Sequence, residues 1–243
     1  MKTKIISLII IALPMLVNAQ CDDNINLLKA EYQITVERIN QPHQQLEKKS
    51  IVFWRKNSEV AYQHLDKQVT EIWNKVSNGT VRPIRYFDRY QHGIEYQPTE
   101  LEVEDRKANW QTKYQILSPA KIKQMKKLNE QNEGCQRLTE YRLEDKNISN
   151  KLLWSSAYKL PKYYEVKTDS HLIKWALTSV ESDAKKVNQF FKQKHSYRTT
   201  DFADIGDNES DPFLTKMINL GFVSAEVAEP IRKKRAKHHG HSH

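Results

Sequence analysis

Four of the nine histidines lie within the last six residues of the chain, where they could bind a transition metal. Neutral imidazole binds Zn²⁺, Cu²⁺ and Ni²⁺, and adjacent histidines on a flexible segment can chelate a metal without a preformed site. This pattern supports one functional hypothesis, a divalent-metal-binding protein that uses its C-terminus, while an engineered end to the chain is the alternative. The predicted metal ligands are His238, His239, His241 and His243.

A second group of ligating side chains is acidic and lies in residues 201–211. Carboxylates at this density could coordinate a hard cation such as Ca²⁺, but the glycine and final glutamate of an EF-hand loop are misplaced. The more ordinary interpretation is a solvated loop, anchored by Phe202 and Ile205, that caps a helix beginning at Pro212. The five carboxylates are Asp201, Asp204, Asp207, Glu209 and Asp211.

The chain contains five tryptophans, and they allow two interpretations. Aromatic side chains can line an apolar cavity that holds an acyl chain or another hydrophobic group. They also dominate ordinary hydrophobic cores, which is the commoner role. For the ligand-binding hypothesis we select Trp54, Trp73 and Trp175, whereas Trp110 and Trp154 complete the set.

Catalytic motifs do not stand out in the sequence. His64, His92, His171 and His195 are scattered, and no metalloprotease, serine-hydrolase or phosphate-binding motif accompanies them. With only six glycines, the chain has few of the residues that a backbone-lined nucleotide site requires. We therefore expect a protein without enzymatic activity, since an enzyme would need the fold to bring His195 beside carboxylates.

Residues 1–19 have the order of a secretory signal peptide. Two lysines precede an almost unbroken apolar run over residues 5–17, and Ala19 stands at the expected cleavage point. Cleavage would deliver the mature chain to the periplasm or the cell exterior. An uncleaved anchor is disfavoured because the apolar run is short, and lipidation of Cys21 is disfavoured because Gln20 precedes it.

Export also bears on the two cysteines, Cys21 and Cys135. An oxidising compartment favours one structural disulfide between them, with two unpaired thiols as the alternative. Their wide separation in the sequence argues against a redox motif or a cysteine-rich zinc site.

The net charge of +9 is concentrated at the two ends of the chain. Of the 39 basic residues, two lie in the signal segment and five in residues 230–243, which leaves 32 against 30 acidic residues. The high net charge therefore belongs to the tail, and a body with a net charge of +2 gives no support for nucleic-acid binding. The basic tail could instead contact anionic lipid headgroups.

Alternating side chains predict an antiparallel, mainly β fold. Tyr32, Ile34 and Val36 alternate with polar residues, and Asn78–Gly79 has the composition of a hairpin turn. These patterns predict four to six strands between residues 30 and 104, a turn at His92–Gly93, and a second strand-rich block after residue 138.

Three helices are predicted around these strands. Ser118–Pro119 begins a helix of about three turns that ends at Gly134. Ser182–Asp183 caps a second helix over residues 184–194, and Asp211–Pro212 begins a third. The fold class is therefore α+β, a curled sheet or incomplete barrel with about three peripheral helices. We expect one β-rich domain over residues 20–223 and a disordered basic, His-rich tail over residues 224–243.

The rhythm of strand, short turn and strand with tryptophan resembles the outer-membrane lipoprotein carrier (LolA/LolB-like) superfamily. The resemblance covers roughly residues 30–195 and implies an incomplete antiparallel barrel curled over helices that close an apolar mouth. It lacks an obvious lipobox, and it does not extend to the acidic segment and tail after residue 195. The residues that carry it lie at 51–55, 59–62, 70–73 and 160–164.

Together these features give a leading functional hypothesis: a non-enzymatic periplasmic protein that binds or carries a hydrophobic ligand or a lipid-modified partner. Metal binding by the histidine tail, with Zn, Cu or Ni as the metal, is the alternative. No cofactor is required by either hypothesis, and no nucleic-acid partner is expected.

Overall fold

A computed structural model describes residues 25–39, 46–76, 80–98, 110–133, 136–206 and 211–219. The signal segment, both cysteines and the histidine tail lie outside the described residues. The predictions about cleavage, the disulfide, the metal ligands and the extent of the single domain therefore stay predictions.

Twelve strands form one sheet in the order β12-β6-β5-β4-β3-β2-β1-β11-β10-β9-β8-β7. Neighbours pair antiparallel except β12 and β6, which are parallel. The strands are β1 Leu27–Arg38, β2 Glu47–Lys56, β3 Glu59–His64, β4 Val69–Lys75, β5 Val81–Phe87, β6 His92–Glu95, β7 Lys126–Glu133, β8 Gln136–Asp145, β9 Ile148–Ser155, β10 Leu160–Thr168, β11 His171–Glu181 and β12 Arg198–Asp201.

Within the described ranges the sheet is open, with β12 and β7 as its two edges. The sheet also bends, as an ion pair between Lys162 of β10 and Glu133 of β7 indicates. Two strands, β9 and β8, lie between these residues in the sheet. Strands in a sheet lie about 4.8 Å apart, so a flat sheet would hold these two backbones roughly 14 Å apart. The predicted fold class, a curled antiparallel sheet with peripheral helices, is confirmed.

The described residues form four α-helices: α1 Trp110–Gln115, α2 Pro119–Lys123, α3 Ala184–His195 and α4 Pro212–Asn219. Ser118 caps α2 by accepting from Lys121 N, and Asp183 caps α3 by accepting from Lys185 N and Lys186 N. Both caps were predicted from the sequence. Helix α1 was not predicted, and no described helix is both long and apolar enough to span a bilayer.

Two predicted elements are wrong. The helix beginning at Pro119 ends at Lys123, not at Gly134, and the next residues form strand β7. Its eight residues are all exposed, so no core imposes a helical period on them, and the hydrogen-bond ladder to β8 decides the conformation. The predicted turn at His92–Gly93 is the start of β6, and the chain turns just before it through residues 88–91.

The sheet has two faces, which we name after the helices that cover them. On the α3 face, Val187, Phe190 and Phe191 of α3 pack against β2–β5. On the α1 face, α1 lies over β1–β4, α2 over β8–β10 and α4 over β5 and β6. Side chains alternate between these faces along each strand.

Candidate functional site

The α1 face carries two of the three selected tryptophans. Trp73 belongs to the core cluster beneath α1 and is 7% exposed. Trp175 borders the same cluster, is half-buried, and meets Tyr32 edge to face with the ring centroids 5.9 Å apart. Trp175 therefore retains surface that a ligand could reach, whereas Trp73 is enclosed by its own neighbours.

Trp175 begins an apolar surface that runs along the middle of the sheet. On one row Ile34 of β1, Trp175 of β11 and Tyr164 of β10 lie side by side. On the next such row, two residues further along, apolar side chains again occupy all three strands. We call these six residues the apolar strip: Ile34, Val36, Trp175, Ile173, Tyr164 and Val166. Only Ile34 is fully buried, and the other five are half-buried.

The same strands present charge on the α3 face. Between the two apolar rows lies a row that points the opposite way and contains Thr35, Lys174, Glu165 and Lys151. Lys151 Nζ lies 3.0 Å from Glu165 Oε1. Burial acts to raise the pKa of Glu165. Hydrogen bonds from Tyr163 and Lys151 nevertheless hold this pKa below its ordinary value. The sheet is therefore amphipathic across its centre, with a charged side and an apolar side.

Helix α1 is fastened to this face by Arg55, whose side chain is fully buried. Its Nε donates to the Tyr114 carbonyl at 3.1 Å, and Nη1 donates to the carbonyls of Ile25 at 2.9 Å and Tyr158 at 2.8 Å. Burial lowers the pKa of Arg55 to about 10, which still leaves it protonated at neutral pH. One buried cation thus joins α1, the residues just before β1 and the β9–β10 turn, without a carboxylate partner among these contacts.

Two buried donors on the α1 face lack a hydrogen-bond acceptor within the described part of the chain: Trp73 Nε1 and Asn150 Nδ2. Asn150 is 1% exposed and lies on β9, directly opposite Val166 of the apolar strip. Its Oδ1 accepts from the Tyr164 hydroxyl at 3.3 Å. A buried amide group without an acceptor is costly, so this position interrupts an otherwise apolar surface.

Trp54 is separated from the other two tryptophans by the sheet. It lies on the α3 face, where its indole stacks on Phe190 at a centroid distance of 4.0 Å and an interplanar angle of 6°. Its Nε1 donates to Gln63 Oε1 at 3.2 Å, and the residue is 9% exposed. Since β2 residues alternate in direction, Phe53 faces α1 and Trp54 faces α3. The structure does not bring Trp54 to the apolar strip.

His195 does meet a carboxylate, but not one from the acidic segment. Its Nε2 lies 2.7 Å from Glu59 Oε1, and its Nδ1 lies 3.5 Å from the Tyr86 hydroxyl. Burial acts to raise the pKa of Glu59, but the hydrogen bond and charge of His195 hold it below its ordinary value. This group ties the end of α3 to β3 and β5, and His64, His92 and His171 are not part of its contacts.

The acidic segment contributes caps where it is described. Asp201 Oδ1 accepts from Ala203 N at 3.1 Å, and Asp211 Oδ1 accepts from Phe213 N at 2.7 Å. Ile205 is buried and Phe202 packs on Tyr96, as the anchoring interpretation predicts. Among the residues that the structure describes, no three His, Cys, Asp or Glu side chains are placed to hold a metal ion.

No family model matches the sequence, and no curated protein matches it. Several solved structures are similar to the chain at low TM-scores. PNGF-II is 8% identical with a TM-score of 0.37 over 72% of this chain, which spans only 31% of that protein. A DUF1329 family protein from Desulfovibrio piger is 6% identical with a TM-score of 0.33, over 65% of this chain and 86% of that one.

A LolA superfamily protein from Nitrosomonas europaea also matches, with 7% identity, a TM-score of 0.25, and coverage of 65% of this chain and 86% of that one. The matches thus include a member of the superfamily that the sequence resembles. At these TM-scores the likenesses say nothing about function, which has to be argued from the side chains themselves.

Proposed function

We propose that this chain is a non-enzymatic binding or carrier protein, and that the apolar strip contacts a hydrophobic small molecule or the lipid part of a lipid-modified partner. The observation that carries the proposal is the contrast between the two faces of β1, β11 and β10. The apolar strip has five half-buried apolar residues. The row of residues that lies between its two rows points to the opposite face and is polar and charged.

An apolar sheet face normally gains stability by being covered, since burial is worth about 25 cal/mol per Å² of apolar surface. Helix α1 covers the neighbouring part of this face around Trp73, and α2 covers the part around Leu152. The strip keeps apolar surface exposed between these covers. A ligand that lies along it would complete the burial, which is what a carrier of apolar cargo requires.

The proposed location is the periplasm or the cell exterior, on the strength of the signal-like residues 1–19. A protein that carries apolar cargo through water is useful in such a compartment, because the cargo itself is insoluble there. Metal binding by the histidine tail stays a separate hypothesis, independent of the strip.

The test is binding of a fluorescent long-chain fatty acid to the purified full chain. Ile173→Glu places a charge on the strip and should weaken binding at least tenfold. Leu172→Glu is the matched control, since Leu172 is the half-buried neighbour on the opposite face of the same strand. Saturable binding that both variants weaken equally, or that neither weakens, would remove the strip from the proposal.

A further inference from the structure

Strand β7 is an edge strand with exceptional exposure. All eight of its residues, Lys126–Glu133, are exposed, including Leu128 at 45%. It pairs with β8 on one side, and in the described sheet no strand follows it on the other. In an antiparallel hairpin, alternate residues direct their N–H and C=O groups away from the partner strand. The outer edge of β7 therefore presents backbone groups that another strand could pair with.

The charges of β7 are distributed unevenly along its length. Its first two residues are Lys126 and Lys127, and its acidic residues, Glu130 and Glu133, lie in the second half. The strand contains neither proline nor glycine. When such a strand pairs antiparallel with an identical one, the basic half of each copy lies against the acidic half of the other. Opposite charges across a strand pair are stabilising, and two-fold symmetry makes every such contact occur twice.

Two features of β7 discourage unrelated strands. Lysines on an edge strand repel basic residues of a pairing strand, and their charged groups lose favourable contact with water when a strand without acidic residues covers them. The register shift between Lys127 and Asn129 also distorts the hydrogen-bond ladder between β7 and β8. A second copy of the same strand brings carboxylates to those lysines, so the repulsive element becomes attractive for this partner alone. The ion pairs that β7 already makes are exposed, for example Lys127 Nζ to Glu130 Oε2 at 2.5 Å, so exchanging them costs little.

The opposite edge of the sheet is less suited to this role. Strand β12 has four residues, and the Asp201 side chain is engaged by Gln97 Nε2 at 3.2 Å and by Ala203 N. Strand β7 is twice as long, and its exposed side chains can reorient.

We propose that this chain forms a homodimer in solution by antiparallel pairing of β7 with β7 of a second copy, which joins two twelve-stranded sheets edge to edge. The interface is independent of the apolar strip, which leaves each copy free to bind its own ligand.

The experiment uses sedimentation analysis of the full chain over a range of concentrations, with two charge-reversed variants. Lys126→Glu with Lys127→Glu makes β7 acidic, and Glu130→Lys with Glu133→Lys makes it basic. Each variant alone should dissociate at least tenfold more readily than the parent, because like charges then face each other. Mixed in equal amounts, the two variants should form a heterodimer.

Lys185→Glu with Lys192→Glu, on the exposed side of α3, is the control for a change in net charge and should leave the dimer intact. Thermal unfolding of each variant shows whether it is folded. Hydrogen exchange gives an independent readout, since β7 amides should exchange more slowly at concentrations where the dimer forms. A chain that is monomeric at every concentration would overturn the proposal, as would a dimer that survives both reversals.

Discussion

The guanidinium of Arg55 lies 3.9 Å from the ring centroid of Tyr114 and donates to the carbonyl oxygen of the same residue. Arg55 is on β2 and Tyr114 is on α1, so this contact joins the helix to the sheet. Because the guanidinium also binds the carbonyls of Ile25 and Tyr158, one side chain holds three chain segments together.

Replacement of this residue, Arg55→Met, should destabilise the fold by about 3 kcal/mol, because the carbonyl groups of Ile25, Tyr114 and Tyr158 lose their donor in a partly buried environment. The free energy of unfolding in urea measures the effect. Arg89→Met removes an exposed arginine and is the matched control, with an expected change within about 0.5 kcal/mol. Equal stability of the two variants would mean that the Arg55 contacts contribute nothing net. Proteolysis should also cut near α1 faster in Arg55→Met alone.

Two tryptophans on opposite faces should respond differently to truncation. Trp54→Ala removes a stacked core side chain and should cost about 3–5 kcal/mol of unfolding free energy without weakening fatty-acid binding to the folded fraction. Trp175→Ala removes a half-buried residue of the apolar strip and should weaken binding with a smaller loss of stability. Urea unfolding and a fluorescence titration measure the two quantities. The reverse assignment would show that the ligand lies on the α3 face.

The amide of Asn150 should be a net cost to the folded protein. Asn150→Leu removes a buried donor that has no acceptor among the described residues and replaces it with a side chain of similar size. It also removes the acceptor of the Tyr164 hydroxyl, but that hydrogen bond is long at 3.3 Å and Tyr164 is only half-buried, so the melting temperature should rise. An increase of about 1 kcal/mol in the free energy of unfolding is expected. Asn188→Leu, at an exposed position of α3, is the control and should change the free energy of unfolding by no more than about 0.5 kcal/mol. A destabilised Asn150→Leu variant would mean that the amide is satisfied in solution.

The local patterns of the sequence predict much of the sheet because one face of most strands is buried. Tyr32 and Ile34 alternate with exposed or half-buried residues, and this is the signal that the prediction uses. The same logic fails at β7, where Met125 and Leu128 have a helical spacing but Leu128 is exposed, so the spacing reflects no packing. Sequence periodicity reports burial, and where nothing is buried it is uninformative.

The parts of the candidate site that the sequence did not predict depend on distant pairing. Strand β1 lies beside β11, so Ile34 is paired with Trp175 although about 140 residues separate them in the sequence. No local sequence pattern predicts that contact. Trp54 and Trp175 both lie on strands, but only the register decides which face each side chain occupies. The residue types of the sequence do not indicate the role of Arg55, because its hydrogen-bond partners are backbone carbonyls.

Packing of α4 on the sheet should weaken in mild acid. His92 stacks on Phe213 of α4 with a centroid distance of 4.1 Å, and its Nε2 lies 2.8 Å from Thr200 Oγ1. Burial, reinforced by the charge of Arg198, lowers the pKa of His92 below its ordinary value, while Asp211 acts in the opposite direction. The unfolded chain then binds the proton more readily than the folded one, so stability is lost as the pH falls below about 6.5.

Hydrogen exchange of the α4 amides at pH 7.5 and 5.5, corrected for the intrinsic rate, measures this effect. We expect α4 to lose protection at the lower pH while α3 keeps it, because α3 packs on the opposite face of the sheet from His92. Burial also lowers the pKa of His64, so global stability should fall as well, and only the local readout isolates His92. His92→Gln keeps a side chain that can hydrogen-bond to Thr200 but does not titrate, and it should make α4 protection independent of pH. If α4 in this variant still opens at pH 5.5, the proton acts elsewhere.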